Sequence, residues 1–354
     1  MIYYVSQFLA GYFSVFNVVH YVSFRTIASL LSTLFLSIGL GNAFIERFGH
    51  LIRSVSREMA PAHHKSKDNM PTMGGIFILC MVFVNAFLWC DITQRAVWIF
   101  LWGVGGFGLI GLWDDLQKIF YKKGISALHK ASLQGFVAFI IALYLYLMGI
   151  VEPILVFPFL KGLQPSLGLL FIPWAMLVLI GTSNAVNLTD GLDGLAINAL
   201  LPNFATFSII CYLASHAGLS AYLAIPFVHN SEITVLGGIL IGASLGFLWF
   251  NTYPAQIFMG DVGSLSLGAA LALMGLLSKQ ELLLMVSGGL FVIETISVIV
   301  QVVSYRYLGR RIFKMAPVHH HFELLGWPES KITVRFGIIS LVLCLCTLIS
   351  LKVR

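Results

Sequence analysis

Residues 97–118 read VWIFLWGVGGFGLIGLWDDLQK. No charge interrupts the stretch from Val97 to Trp113, and then two acids stand side by side, Asp114 and Asp115. An apolar run of this kind fits a helix that crosses a bilayer, which takes roughly 20 apolar residues. A carboxylate in the middle of the hydrocarbon costs about 2.5–3.5 kcal/mol on insertion scales. The pair is therefore expected at the mouth of a span, within reach of water and a divalent cation. Mg²⁺ favours carboxylate oxygens combined with substrate phosphates. Lys118 follows one helical turn later and Lys122 one turn after that, a row of cation-binding acids followed by phosphate-binding lysines. Local pairing of charges at a helix end is the plainer alternative.

The whole chain agrees with that stretch. It has 354 residues, 58% hydrophobic and 10% charged, whereas a soluble domain has about a quarter of its residues charged. Further apolar spans lie near 24–45, 73–90, 131–150, 167–186, 199–216, 235–250, 263–278, 282–304 and 334–351. The expected fold is an all-α polytopic membrane protein of about ten transmembrane helices, one domain over 1–354, with an active-site cleft on the cytoplasmic face.

Charge sets the sidedness. Basic residues gather at Arg47–Lys67, Lys118–Lys130 and Arg306–Arg335, and the net charge is +6. Loops rich in Lys and Arg stay in the cytoplasm, and with ten spans these three stretches fall on one side, leaving both termini outside. The basic residues flank spans, so nucleic acid is excluded as the partner they serve; membrane lipid is the expected neighbour. The five cysteines lie in or at the ends of apolar runs, with no spacing for a metal site or disulfide framework. The N-terminal residues lack the pattern of a removable signal peptide.

The five loops on the basic side (46–72, 114–130, 187–198, 251–262, 305–333) hold nearly all the unusual polar residues. Asn187, Asp190 and Asp193 recur every third residue in NLTDGLDG, so on a helical turn they share a face; a polar turn is the alternative. In 251–264, NTYPAQIFMGDVGS, Asn251 opens a loop whose single acid is Asp261 and whose Phe258 suits stacking on a nucleobase. Asp261 alone also fits a helix N-cap. In PVHHHFE, 317–323, three consecutive histidines rarely point the same way, so His319, His320 and His321 fit a shared zinc weakly and better suit hydrogen-bonding or orienting a substrate; a polar loop near headgroups is the alternative. Lys65 and Lys67 precede PTMGG, 71–75, and suit a diphosphate or a lipid headgroup. Glu294 lies inside an apolar span, as a helix–helix hydrogen bond or a cleft-lining group.

Taken together, PTMGG, DDLQK, NAVNLTDGLDG, GDVGS and PVHHHFE resemble the polyprenyl-phosphate N-acetylhexosamine-1-phosphate transferase superfamily. HHHFE with the following Gly326-Trp327 is most similar to its bacterial phospho-MurNAc-pentapeptide transferases. The resemblance implies a Mg²⁺-dependent enzyme of the bacterial inner membrane, a homodimer, acting in peptidoglycan synthesis. UDP-MurNAc-pentapeptide and undecaprenyl phosphate would give lipid I and UMP. It implies Asp261 as a metal ligand beside Asp114 and Asp115, and Asp114 as the group handling the lipid phosphate. Asn187, Asp193 and Phe258 would form the nucleoside pocket, and Lys67 and Lys130 the phosphate contacts. The three histidines would line the substrate side, with His320 among the catalytic candidates. A UDP-GlcNAc-using transferase is the near alternative. A secondary transporter is a more distant one, because transporter acids sit near the midplane of broken helices; a non-catalytic scaffold would leave the loop acids dispensable.

Overall fold

The computed structural model describes residues 1–49, 70–160 and 162–352. Among them there is no sheet; an isolated antiparallel bridge joins Ile154 and Ser166. The helices are α1 Ile2–Ala10, α2 Val22–Phe48, α3 Gly74–Trp89, α4 Arg95–Tyr121, α5 Ala127–Leu147, α6 Phe171–Thr189 and α7 Leu195–Ala214. They continue with α8 Ala217–Leu223, α9 Glu232–Asn251, α10 Gly260–Leu277, α11 Leu284–Ser287, α12 Gly289–Leu308, α13 Val318–Glu323 and α14 Glu329–Ser350.

Nine described helices are long and apolar enough to cross a membrane: α2, α4 to α7, α9, α10, α12 and α14. The expected span at 73–90 is α3, an apolar helix of 16 residues, about 24 Å at 1.5 Å per residue. It begins after Met73, whose φ is 62°, and ends at the extended Cys90. The expected span at 282–304 is broken: a 3₁₀ turn Glu281–Leu283 and the short α11 precede α12.

In lipid the hydrophobic effect does not drive helices together, so close packing and polar contacts must. Helix α2 buries Arg25, Ser29, Thr33, Ser37 and Gly41, one residue per turn, and lays this small, polar stripe on α9. A Cβ on Gly242 of α9 would stand 2.3 Å from the carbonyl oxygen of Leu30, so the two backbones touch. Helix α10 is the hub, with 89% of its span buried, and it packs on α3, α4, α6 and α7.

That packing is tightest at the N-terminus of α10. A Cβ on Gly75 would meet the Gly263 nitrogen at 2.0 Å, and one on Gly111 would meet the Asp261 carbonyl oxygen at 2.3 Å. The amides of Gly74 and Gly75 donate to the carbonyls of Phe258 and Met259 at 2.8 and 2.9 Å, and the Phe258 amide donates to the Pro71 carbonyl at 2.9 Å. The residues 71–75 are thus a backbone brace for the loop before Asp261. The brace presses the end of α10 onto the C-terminal half of α4, where Asp114 and Asp115 sit.

Candidate active site

Three carboxylates from two helices surround one ammonium. Lys118 Nζ lies 2.9 Å from Asp114 Oδ2, 3.2 Å from Asp115 Oδ1 and 3.0 Å from Asp261 Oδ2. Lys130, on the first turn of α5, adds a second ammonium, 2.5 Å from Asp261 Oδ2 and 3.3 Å from Asp114 Oδ2. From α6, Asn187 Nδ2 donates to Asp261 Oδ1 at 3.1 Å and to Ser264 Oγ at 2.8 Å. The spare acid oxygens go to backbone: Asp114 Oδ1 accepts from the Ile125 amide at 2.8 Å, and Asp115 Oδ2 from the Val262 amide at 3.2 Å. Asp114 and Asp115 are 4% and 5% exposed, so at this depth their charges need these partners.

Helix geometry explains the convergence. Asp114 and Asp115 lie one turn before Lys118, which folds back on them as i,i+4 and i,i+3 pairs. The chain then turns between α4 and α5 over Gly124, where a Cβ would stand 2.5 Å from Asp114 Oδ1. That turn returns Lys130 to the same carboxylates. Asp261, in the first turn of α10, also lies where a helix N-terminus favours negative charge.

Other expected site residues take different places. Asp190, at the C-cap of α6, is outside the direct contacts. Burial, with the charges of Asp261, Asp115 and Asp193 nearby, pushes its carboxyl up to about 8, so near neutral pH it mainly carries a proton. Asp193 Oδ2 accepts from the Ala255 amide at 3.1 Å. Asn251 accepts from the Gly194 amide at 3.1 Å and donates to the Ile257 carbonyl at 2.8 Å. Both therefore staple the 251–260 loop to the 190–194 turn, whatever else they touch. Phe258 is half-buried on that loop, its backbone held by the 71–75 brace. Lys122 is exposed at the C-cap of α4, with φ 56°; the helix ends before the row of lysines can continue, so this residue is not brought to the cluster. Lys67 lies outside the described residues.

The three histidines diverge. His319 is fully buried, with Nδ1 3.2 Å from Glu294 Oε2, and a Cβ on Gly191 would meet its Nε2 at 2.2 Å. Burial lowers its pKa against the opposing pull of Glu294, so the neutral ring is favoured. His319 thereby seats the histidine segment directly against the 190–194 turn. His320 Nδ1 lies 3.0 Å from Glu323 Oε2, and His321 Nδ1 accepts from the Lys314 amide at 3.1 Å. Glu294, left open between two roles by the sequence, has its Oε2 beside the His319 ring. Ser264, which the sequence did not single out, joins the cluster through Asn187; its position one turn after Asp261 was the available signal.

Whether these groups suit Mg²⁺ follows from their chemistry. Among the described residues, no three His, Cys, Asp or Glu side chains form a ready-made metal cage. The three carboxylates instead aim hard oxygens at a point that the Lys118 ammonium fills. Mg²⁺ is commonly held by one or two carboxylates with substrate phosphates supplying the rest. The donor set fits that mode, with the diphosphate as a co-ligand.

The family model of glycosyl transferase family 4 matches residues 97–279, just over half of the 354 residues. The matched stretch contains Asp114, Asp115, Lys118, Lys130, Asn187 and Asp261 and ends before the histidine segment.

Proposed function

The chain belongs to glycosyl transferase family 4, the polyprenyl-phosphate hexosamine-1-phosphate transferase superfamily, and from that premise we propose that it makes lipid I. It is a multi-pass membrane phosphoglycosyl transferase that uses a polyprenyl phosphate and a nucleotide sugar. The finer reading is transfer of phospho-MurNAc-pentapeptide from UDP-MurNAc-pentapeptide to undecaprenyl phosphate, with release of UMP, on the cytoplasmic side of a bacterial inner membrane, as a step of peptidoglycan synthesis. The observation that carries the chemistry is the convergence of Asp114, Asp115, Asp261, Lys118, Lys130 and Asn187 from four helices on one point. The preference for the MurNAc-pentapeptide donor rests on the sequence of the histidine segment and on its contact, through His319 and Gly191, with the turn beside that point.

Phosphoryl transfer demands positioning and charge stabilisation more than covalent help from the protein. The acceptor is a phosphate monoester with a second pKa of about 6, so near neutral pH it is already mostly an anionic nucleophile. A strong base is not needed. Asp114 orients the acceptor or takes its remaining proton. Lys118 and Lys130, each now shared among carboxylates, are free to exchange those partners for phosphate oxygens. When bound through Asp261, Asp114 and Asp115, Mg²⁺ would neutralise charge on the diphosphate. Asn187 keeps Asp261 turned toward the lysines, and Asp193 and Asn251 hold the loop that carries Phe258.

The donor assignment is tested by measuring UMP release from purified protein with undecaprenyl phosphate and either UDP-MurNAc-pentapeptide or UDP-GlcNAc. Turnover with the first and background with the second is the expected result; the reverse would hand the protein to the GlcNAc-1-phosphate transferases. Phe258→Ala tests the stacking role. Base–aromatic stacking is worth about 1–3 kcal/mol, so KM for the nucleotide sugar should rise about 5- to 150-fold while KM for the lipid stays near normal. A rise confined to the lipid would place Phe258 elsewhere.

A further inference from the structure

Below the charged cluster, two side-chain amides face each other across α5 and α6. Asn184 Nδ2 donates to Gln134 Oε1 at 2.8 Å, and Gln134 Nε2 donates to Asn184 Oδ1 at 3.3 Å. Asn184 Nδ2 also reaches the Ile180 carbonyl at 2.8 Å. Gln134 is 2% exposed. An amide left single in apolar surroundings is costly, and this reciprocal pair satisfies both partners at only one height and one rotation of the two helices.

The spacing ties this pair to the site. Gln134 lies four residues after Lys130 and shares its face of α5; Asn184 lies three residues before Asn187 and shares its face of α6. Helix α6 is anchored to α10 above and below: Ser183 Oγ donates to the Leu265 carbonyl at 2.9 Å, and Asn187 holds Asp261 and Ser264. Helix α5 packs on α4 and α6 with only 28% of its span buried, so its inner face has few contacts to set its register and each polar one carries a large share. A slip of one residue would move Lys130 by about 1.5 Å along the axis and turn it by about 100°. Its ammonium would then leave Asp261.

We infer that the Gln134–Asn184 amide pair is a positioning device that locks the register of α5 on α6 and so holds Lys130 against Asp261. The pair touches none of the charged groups and acts through Lys130. The kinetic part of its test rests on the transferase reading given above; the cross-linking part does not.

In the cross-linking arm, a carbodiimide activates a carboxyl, a neighbouring lysine amine displaces the reagent as its urea, and an amide bond joins the two side chains. In the wild-type protein, Lys130–Asp261 and Lys118–Asp261 links are both expected by peptide mass spectrometry. Gln134→Leu and Asn184→Leu should each lower the Lys130 link several-fold relative to the Lys118 link, because Lys118 is carried by α4. In the kinetic arm, each variant should lose about 10- to 100-fold in kcat, the scale of a misplacement of about 1 Å, with KM for the nucleotide sugar little changed and Tm in detergent lowered by a few degrees, the cost of the amide left single. The double variant should be no worse than the poorer single one, and the exchanged pair Gln134→Asn with Asn184→Gln should recover much of the loss. If a leucine variant does not fold, Gln134→Met and Asn184→Ala carry the same comparison. An unchanged ratio of the two cross-links in both single variants would overturn the inference, as would kcat losses that add in the double variant. An absent transferase activity with the ratio still shifted would sink the functional reading and leave the register lock standing.

Discussion

Asp261→Asn lowers kcat by about a thousandfold, on the scale seen when charge stabilisation at a transition state is removed, while the protein still inserts and unfolds within a few degrees of wild type. Asparagine matches aspartate in volume, and its amide oxygen can still accept from Asn187. What disappears is the charge that faces Lys118 and Lys130 at 3.0 and 2.5 Å and the oxygen proposed for Mg²⁺. The fold tolerates the change because Lys118 keeps Asp114 and Asp115, Lys130 keeps Asp114, and the close packing of Gly75 and Gly111 on α10 uses backbone alone. The measurement is single-turnover and steady-state UMP release at saturating Mg²⁺, with thermal unfolding run beside it. A rate near that of wild type would remove Asp261 from the reacting centre. A parallel collapse of stability would make it a packing residue.

The spans were legible because lipid admits few solutions: a spanning segment must satisfy its own backbone, so an apolar run of sufficient length is a helix. The same rule is blind to breaks that keep the composition apolar. It did not see that α12 begins only at Gly289 after a 3₁₀ turn and α11, nor the short N-terminal pieces α1 and Ser14–His20. In the site, Asp114, Asp115, Asn187 and Asp261 announce themselves because the cost of a polar group within the hydrocarbon confines it to the edge of an apolar span, where it stands out. Lys130 carries no such signal; it is one basic residue among several at a span's edge, and only the family resemblance singled it out. Lys122 shows the opposite failure. Helical spacing extended the row of lysines to it, but α4 stops at Tyr121, and the projection stops with it. Asn251 and Asp193 look like ligand contacts in the sequence, and in the structure they also hydrogen-bond buried loop backbone, which must find partners somewhere. A sequence cannot separate polar residues that hold a ligand from those that hold the loop beside it, because the physical demand on both is the same.

The far end of the bundle carries the second large effect. Arg25 of α2 and Glu232, the first residue of α9, form a two-pronged pair with both N–O distances 2.7 Å. Arg25 also donates to the Trp89 carbonyl at 3.2 Å and lies 4.6 Å from the centre of the Tyr3 ring, and Glu232 Oε2 accepts from the Asp91 amide at 2.9 Å. The side chains are 3% and 6% exposed. Removing one partner leaves a charge buried without its counter-charge, a loss of about 3–5 kcal/mol, whereas replacing both with apolar groups of similar size is often close to neutral. Arg25→Leu and Glu232→Leu should therefore each lower Tm in detergent sharply, and the double variant should recover most of the loss. The loop that leads to Asp261 leaves from the other end of α9, about 30 Å from Glu232 along a helix of 20 residues. Rate per folded molecule, measured at low temperature, should hardly move in any of the three. If the losses in Tm simply add in the double variant, the pair contributes as two separate packing residues, and the argument from uncompensated charge fails.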